Sequence, residues 1–162
     1  MSRVWKPSVT VAAVVERDGR FLLVEEHTES GLRINQPAGH LDPGETLQHA
    51  VAREALEETA HPFTPTALLG IYLWRSPDPS RTTTYLRFAF TGELGEAIAG
   101  RTLDHGIVRT LWLSPQEIAQ RKAQWRSPLV GRCIEDYLSG QRYPLDLLYT
   151  HPASVVQATG FA

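Results

Sequence analysis

Residues 39–61 read GHLDPGETLQHAVAREALEETAH, and the glutamates at 54, 57 and 58 decide the reading of the whole chain. Pro43-Gly44 is a turn signal, Thr46 is an acceptable N-cap, and Pro62 closes off a helix that runs to about Ala60. At 100° per residue, Glu54 and Glu58 project within about 20° of Leu47. Leu47, Val51 and Ala55 form the apolar stripe, so two carboxylates sit inside the face that should be buried. A surface helix keeps its charges on the opposite face, and carboxylates three or four residues apart repel one another. A divalent cation removes both objections. Magnesium takes oxygen ligands, typically one or two carboxylates together with substrate phosphates. Arg53, on a neighbouring arc, is placed to hold Glu45 or a ligand carboxylate. Gly39 permits close backbone approach and can present its carbonyl to the same ion. A solvated acidic helix with fortuitous spacing is the bland alternative.

Working outward, residues 9–15 are β-branched and apolar and read as a buried strand. Asp18-Gly19 is a hairpin turn, and residues 21–24 form the return strand. Residues 32–39 read as one short strand leading into the acidic segment. Residues 67–74 are strand-like. In residues 83–91, Leu86, Phe88 and Phe90 share one face while Tyr85 and Arg87 share the other. Residues 108–113 make another strand. Ser114-Pro-Gln-Glu117 is a capping box with proline at the first helical position. Ser127-Pro128 opens a last helix whose core face carries Leu129, Val130, Cys133, Ile134 and Tyr137, with Gly140 as its stop. These elements predict the α/β class, a mixed sheet flanked by helices. Beyond about residue 143 no pattern is evident, and a tail packed loosely on the surface is expected.

The chain has 162 residues and a formal net charge of -2. That length predicts one domain spanning 1–162. No long basic run appears, so a nucleic-acid polymer is not an expected partner. Cys133 is the one cysteine, which suits a reducing cytoplasm. The N-terminal apolar run is broken by Glu16, Arg17 and Asp18, and reads as neither signal peptide nor membrane span. No His/Cys cluster has zinc spacing, and His27 and His49 read as exposed bystanders.

Residues 39–61 resemble the Nudix box, G-x5-E-x7-R-E-U-x-E-E-x-G-U, where U is a bulky aliphatic residue. Gly39, Glu45, Arg53, Glu54, Glu57 and Glu58 match at the family's spacing. Ala55 is a small U, Ala60 stands where the family has glycine, and His61 stands at the final aliphatic. Those departures sit at the helix C-terminus, where glycine would supply a left-handed cap. The resemblance implies an α/β/α sandwich. It also implies a phosphoanhydride hydrolase in which Glu54, Glu57 and Glu58, with Gly39, hold magnesium, for which manganese can substitute. Arg53 and Glu45 complete the catalytic set.

A second resemblance covers nearly the whole chain. Residues 35–41 (NQPAGHL), 85–90 (YLRFAF), 126–130 (RSPLV) and 139–145 (SGQRYPL) look like the NudJ-type bacterial phosphatases. That resemblance implies a cytoplasmic, magnesium-dependent hydrolase of nucleoside di- and triphosphates. Thiamine pyrophosphate and hydroxymethylpyrimidine pyrophosphate are implied further substrates, with orthophosphate released from the chain end. A monomer or homodimer acting on a small molecule is expected.

The chemistry requires a carboxylate to take the proton of the attacking water. In the family this is sometimes the residue matching Glu54 and sometimes an acid from a later loop, here Asp104 with His105 beside it. Substrate contacts are expected among His40, Tyr85, Arg87, Asp104 and Arg126. Each has a plain reading too. Arg87 is either a fork donor to phosphate or an exposed arginine in a surface ion pair. Tyr85 and Trp74 either stack a ring or, for Trp74 especially, pack in the core. Arg126, Gln141 and Arg142 are either substrate contacts or capping residues of the last helix. Two further enzyme and non-enzyme readings stand beside the main one. The first is a pyrophosphohydrolase of sugar nucleotides such as ADP-ribose. The second is a nucleotide-sensing Nudix module without catalysis, which would not need the full acidic set. A protein-interaction scaffold using the last helix has no unexplained apolar patch in its favour.

Overall fold

The computed structural model describes residues 3–80 and 82–156. Strand β1 (Ser8–Ala13) leads through Val14 and Val15 to a hairpin of β2 (Glu16–Arg17) and β3 (Arg20–Thr28). Asp18 and Gly19 turn it with φ of 53° and 75°, the left-handed pair that a two-residue hairpin turn requires. Next come β4 (Gly31–Asn35), β5 (Ala38–His40), helix α1 (Leu47–Thr59), β6 (Phe63–Arg75), β7 (Thr84–Leu94) and β8 (Ile107–Leu113). Helices α2 (Pro115–Gln120) and α3 (Leu129–Leu138) follow, and short 3-10 turns complete the described chain.

The strands form two sheets. One is mixed, ordered β5-β1-β7-β6, with β1 and β7 parallel. The other is antiparallel, with β3 pairing β2, β4 and β8. The expected mixed sheet and α/β class are present. The single strand expected over 32–39 is in fact two. The chain leaves the antiparallel sheet at Asn35, passes Gln36-Pro37, and enters the mixed sheet at Ala38. A continuous apolar-polar run carries no mark of such a crossing, because each half alternates correctly for its own sheet.

Helices cover the two faces of the mixed sheet. On one side Ala50, Val51 and Ala55 of α1 pack with Val11, Leu68 and Phe90. On the other, Val130, Cys133 and Ile134 of α3 pack with Ala12, Leu69 and Ala89, and with Phe21 and Leu23 from the second sheet. The two faces read from β7 are therefore real. Phe88 and Phe90 face α1, and Ala89 faces α3. Arg87 shares the α3 face, but it is buried, so the exposed surface pair is ruled out for it.

The capping box at Ser114 and Glu117 forms with both hydrogen bonds. Gly140 follows α3 with φ of 84°, as a C-terminal stop should. After Tyr143, which exchanges both backbone hydrogen bonds with Leu68, Leu145 and Leu148 pack against the α1-side core. The Val156 N–H donates to the Gly44 carbonyl, and the last part of the expected tail, 157–162, lies outside the described residues. Among the described residues no helix is long and apolar enough to cross a membrane.

Candidate active site

Helix α1 starts where the Thr46 hydroxyl accepts the His49 N–H at 3.0 Å. It ends at Ala60, which adopts the left-handed conformation with φ of 62° and closes its N–H on the Leu56 carbonyl. The cap geometry that glycine usually supplies is thus kept by alanine, at the steric cost of a Cβ in that region. The acidic face of α1 lies against β5. Glu54 and Glu58 are buried, while Glu57 stands at the edge with its side chain a third exposed.

Arg53 organises this end of the helix. Its Nε donates to Glu45 Oε1 at 2.6 Å and one terminal nitrogen to Glu45 Oε2 at 3.0 Å. The same terminal nitrogen donates to the His40 carbonyl at 3.0 Å. The other donates to Glu54 Oε1 at 2.8 Å and Glu57 Oε2 at 3.1 Å. Asp42 lies 3.4 Å away. The expected Arg53–Glu45 pairing is therefore present as a two-pronged contact, and it holds the Glu45 carboxyl below its ordinary range. Arg53 ties the loop, the strand end and two helix carboxylates to one planar group, the geometry for which a guanidinium is suited.

Gly39 serves α1 through space rather than through a loop. It lies within β5, and a Cβ there would meet the Glu54 carboxyl carbon at 2.1 Å. Only a residue without a side chain lets that carboxylate lie against the strand. Next to it the Ala38 N–H donates to Glu58 Oε2 at 3.0 Å. Burial pushes the Glu58 carboxyl up to about 8, with the charges of Glu54, Glu26 and Asp104 adding to the rise. Glu54 is raised as well, first by burial, against the lowering effect of Arg53. Glu26, Glu54, Glu57, Glu58 and Asp104 thus share one electrostatic neighbourhood.

Glu26 was not anticipated. It ends the buried run of β3, where the pairing with β8 shifts register between Glu25 and Glu26. Bulges re-aim side chains next to functional sites, and this one points Glu26 into the groove. Its Oε1 is buried without a hydrogen-bond partner among the described residues, and the Arg126 guanidinium stands 3.8 Å off. Its carboxyl is raised by burial, with Arg126 and Arg87 opposing. Two adjacent glutamates after an apolar strand are the only sequence signal, and they look like any strand end.

The residues fit a hard cation. The donor set is all oxygen, one buried carboxylate oxygen has no hydrogen-bond partner among the described residues, and Gly39 opens the space that Glu54 fills. Hard divalent ions select such a set. Among the described residues no three acidic or histidine side chains are already drawn together as a cage. Arg53 instead takes one oxygen each of Glu54 and Glu57, which is how like charges can share a face when a guanidinium is their only counter-charge.

A groove of about 1240 Å³ opens beside the carboxylates. Of the expected substrate residues, His40, Tyr85, Arg87 and Arg126 line it, and Trp74 joins them. Trp74 both packs against the core and stacks on Tyr85, with ring centroids 5.7 Å apart and planes at 17°. Arg87 donates to Asn35 Oδ1 and Gln36 Oε1, each at 3.2 Å. Asp104 is exposed, and its backbone N–H holds the Glu57 carbonyl at 2.9 Å. Its charge reaches Glu54 and Glu58. Gln141 and Arg142 do not line the groove. Gln141 donates to the Leu69 carbonyl at 2.8 Å, and the Arg142 guanidinium covers the Tyr137 ring at 4.1 Å, so both serve the fold.

Known proteins resemble this chain in sequence and in fold. The NUDIX domain profile matches residues 5–133. Phosphatase NudJ of Escherichia coli K12 is 43% identical over 145 residues, 90% of this chain and 92% of that protein. The same values hold for phosphatase NudJ of Shigella flexneri. Among solved structures, a NUDIX hydrolase from Nitrosomonas europaea superposes with a TM-score of 0.87 at 52% identity, covering 92% of this chain and all of that one. With its box residues gathered on β5, α1 and the loop between them, and with relatives matched along nearly their full length, the chain belongs to the Nudix hydrolase family.

Proposed function

We propose that the enzyme hydrolyses terminal phosphoanhydrides of nucleoside tri- and diphosphates and of thiamine-related pyrophosphates, with magnesium bound, releasing orthophosphate. The observation that carries this reading is the meeting of two charge fields in one groove. Glu26 and Gly39 line it, with the Glu54 carboxylate lying against Gly39 and Glu58 held on the Ala38 N–H behind them, and Arg87 and Arg126 line the same opening. A carboxylate cluster alone would repel a polyphosphate, and arginines alone would bind it without activating water. Magnesium bound at Glu57, Glu58 and the Gly39 carbonyl would neutralise phosphate charge and lower the pKa of water. Manganese satisfies the same oxygen set.

Within the chain, Arg53 fixes Glu54 through one oxygen, leaving Oε2 as the atom we assign to accept the proton of the attacking water. Glu45 holds Arg53 in that orientation. Asp104 adds negative charge from its loop and is the alternative acceptor. The thiamine-related substrates and the orthophosphate product rest on likeness to phosphatase NudJ, together with a groove rich in ring faces. All these groups come from one copy of the chain, so a monomer suffices for the chemistry and a homodimer is compatible with it. A cytoplasmic setting is part of the same proposal, supported by magnesium-nucleotide substrates and a lone buried cysteine.

A time-resolved digest of a nucleoside triphosphate tests the reading. Diphosphate should appear as an intermediate with free orthophosphate, chelator should stop the reaction, and magnesium should restore it. Direct monophosphate plus intact pyrophosphate would transfer the assignment to the sugar-nucleotide type of pyrophosphohydrolase. No turnover with any phosphoanhydride, despite tight nucleotide binding, would make the chain a sensing module.

A further inference from the structure

We propose that the groove holds its substrate in one direction: ring on the Trp74–Tyr85 pair, ring-proximal phosphate on Arg87, and chain end at the carboxylates of α1. This rests on the proposed function and adds the orientation that makes the terminal phosphorus the one attacked. Sheet register supplies the ruler. Ala38 pairs with Ala12, and Ala12 with Ala89, as one row across the mixed sheet. His40, Thr10, Arg87 and Tyr72 form the next row. Ser8, Tyr85 and Trp74 form the third. Alternate residues share a face, so all three rows look toward the groove side, and successive rows are about 7 Å apart along the strand. Glu58 accepts the Ala38 N–H at 3.0 Å, which anchors the carboxylates beside the first row. Arg87 occupies the second row and the rings the third. Glu26, from the facing sheet, lies close enough for its charge to act on Glu58 and to be acted on by Arg87, so the two rows border one space.

Arg87 has the partners of a cation kept ready for an anion. It is buried, yet its hydrogen bonds go to the carboxamides Asn35 and Gln36 at 3.2 Å each, not to a carboxylate. A buried charge normally demands a paired and hydrogen-bonded counter-charge. Gln36 is itself fixed by donating to the Val130 carbonyl at 2.9 Å, so the guanidinium is held in place by neutral groups, with Glu26 near enough to feel its charge but not hydrogen-bonded to it. A phosphate oxygen would complete it, and a guanidinium takes phosphate in a forked geometry. The Trp74–Tyr85 stack, with the His40 ring 6.4 Å from Tyr85, then provides π-faces, which any base or pyrimidine can use. The substrate class is a phosphate chain with a flat ring at one end and a free terminus at the other.

The test compares ring-bearing and ringless substrates on the full chain with magnesium. Tyr85→Ala should raise KM for a nucleoside diphosphate roughly ten-fold, as loss of stacking does, with kcat unchanged and KM for inorganic tripolyphosphate unchanged. Tyr85→Phe, which keeps the ring face, should raise that KM by much less than Tyr85→Ala does. Arg87→Gln should admit a second register of the chain, so that monophosphate and pyrophosphate join the products from a nucleoside triphosphate. Arg87→Lys should restore single-product hydrolysis in part. Thermal melts establish that each variant is folded. An equal KM change on tripolyphosphate, or an unaltered product ratio in folded Arg87→Gln, would overturn the orientation. Binding of a methylene-bridged nucleoside diphosphate, read by calorimetry, separates this from failure of the proposed function. Weaker binding in Tyr85→Ala upholds the ring platform even if the parent turns nothing over, and equal binding refutes it.

Discussion

At the scale of single residues, the buried glutamates separate what serves the fold from what serves chemistry. Glu58 makes one backbone hydrogen bond, to Ala38, and an amide oxygen could accept it equally well. Its negative charge, by contrast, is opposed by burial and by three neighbouring carboxylates. Glu58→Gln should therefore keep the fold and lose turnover by more than about a hundred-fold, since even partners one step removed from a metal typically cost about 10–100-fold. Glu57→Gln should behave similarly, with a smaller effect on the melt because Glu57 sits at the edge. Parallel kinetics and melting curves at neutral pH check this, and near-normal turnover in either variant would remove that residue from the ligand set. The gathering of Glu54, Glu57 and Glu58 beside Arg53 was legible because helical periodicity turns spacing into proximity, and Glu45, in the loop before α1, was reached through its pairing with Arg53. Glu26 was not, because it reaches the same neighbourhood from another sheet by a bulge, and register shifts leave no pattern in sequence. Arg87 was read on the correct side of its strand, with a phosphate fork and an exposed ion pair both open, and its burial excludes the second. Alternation tells which way a side chain points and says nothing of what closes over it.

Among the elements, the boundaries set by local chemistry were legible: the Asp18-Gly19 hairpin, the capping box before α2, and the helix stop at Gly140. The crossing at Gln36-Pro37 was not, since it is decided by which sheet each half joins. The contact between α1 and β5 depends on it, and Gly39 is the residue that makes that contact possible. Gly39→Ala would place a methyl group on the Glu54 carboxyl carbon, at 2.1 Å in the present arrangement. The clash is with the far end of a flexible side chain and not with backbone, so the strand need not move. Glu54 would swing away and give up Arg53. The expected result is a large loss of turnover with a change in melting temperature of only a few degrees. A collapse of the fold would mean instead that β5 and α1 are locked together by more than this one approach. Unchanged turnover would mean that the place of Glu54 against β5 is unimportant to catalysis.

For the molecule as a whole, the crowding of carboxylates beneath the groove links stability to both pH and metal. Glu58 is raised to about 8 in the folded chain from an ordinary 4.5, and Glu54 and Glu26 are raised as well. The folded state therefore binds protons more tightly than the unfolded state at these positions. Their contribution to stability is fully present below about pH 4.5 and is lost as pH rises through about 8, where the last of them ionises in place. Glu45, lowered by Arg53, acts in the opposite sense and only in the acid range, so it does not cancel the trend above pH 5. Metal-free protein should accordingly melt at progressively lower temperature between about pH 5 and pH 8.5. Magnesium should raise the melting temperature most at the alkaline end, because the ion binds the ionised carboxylates and displaces their protons. Glu58→Gln should flatten the metal-free slope, since the group that titrates highest is gone. The measurement is a set of melts across pH with chelator or with excess magnesium. A metal-free melting temperature that rises with pH over this range, or a magnesium increment that is the same at pH 5 and pH 8.5, would show that the buried carboxylates are not what the ion stabilises.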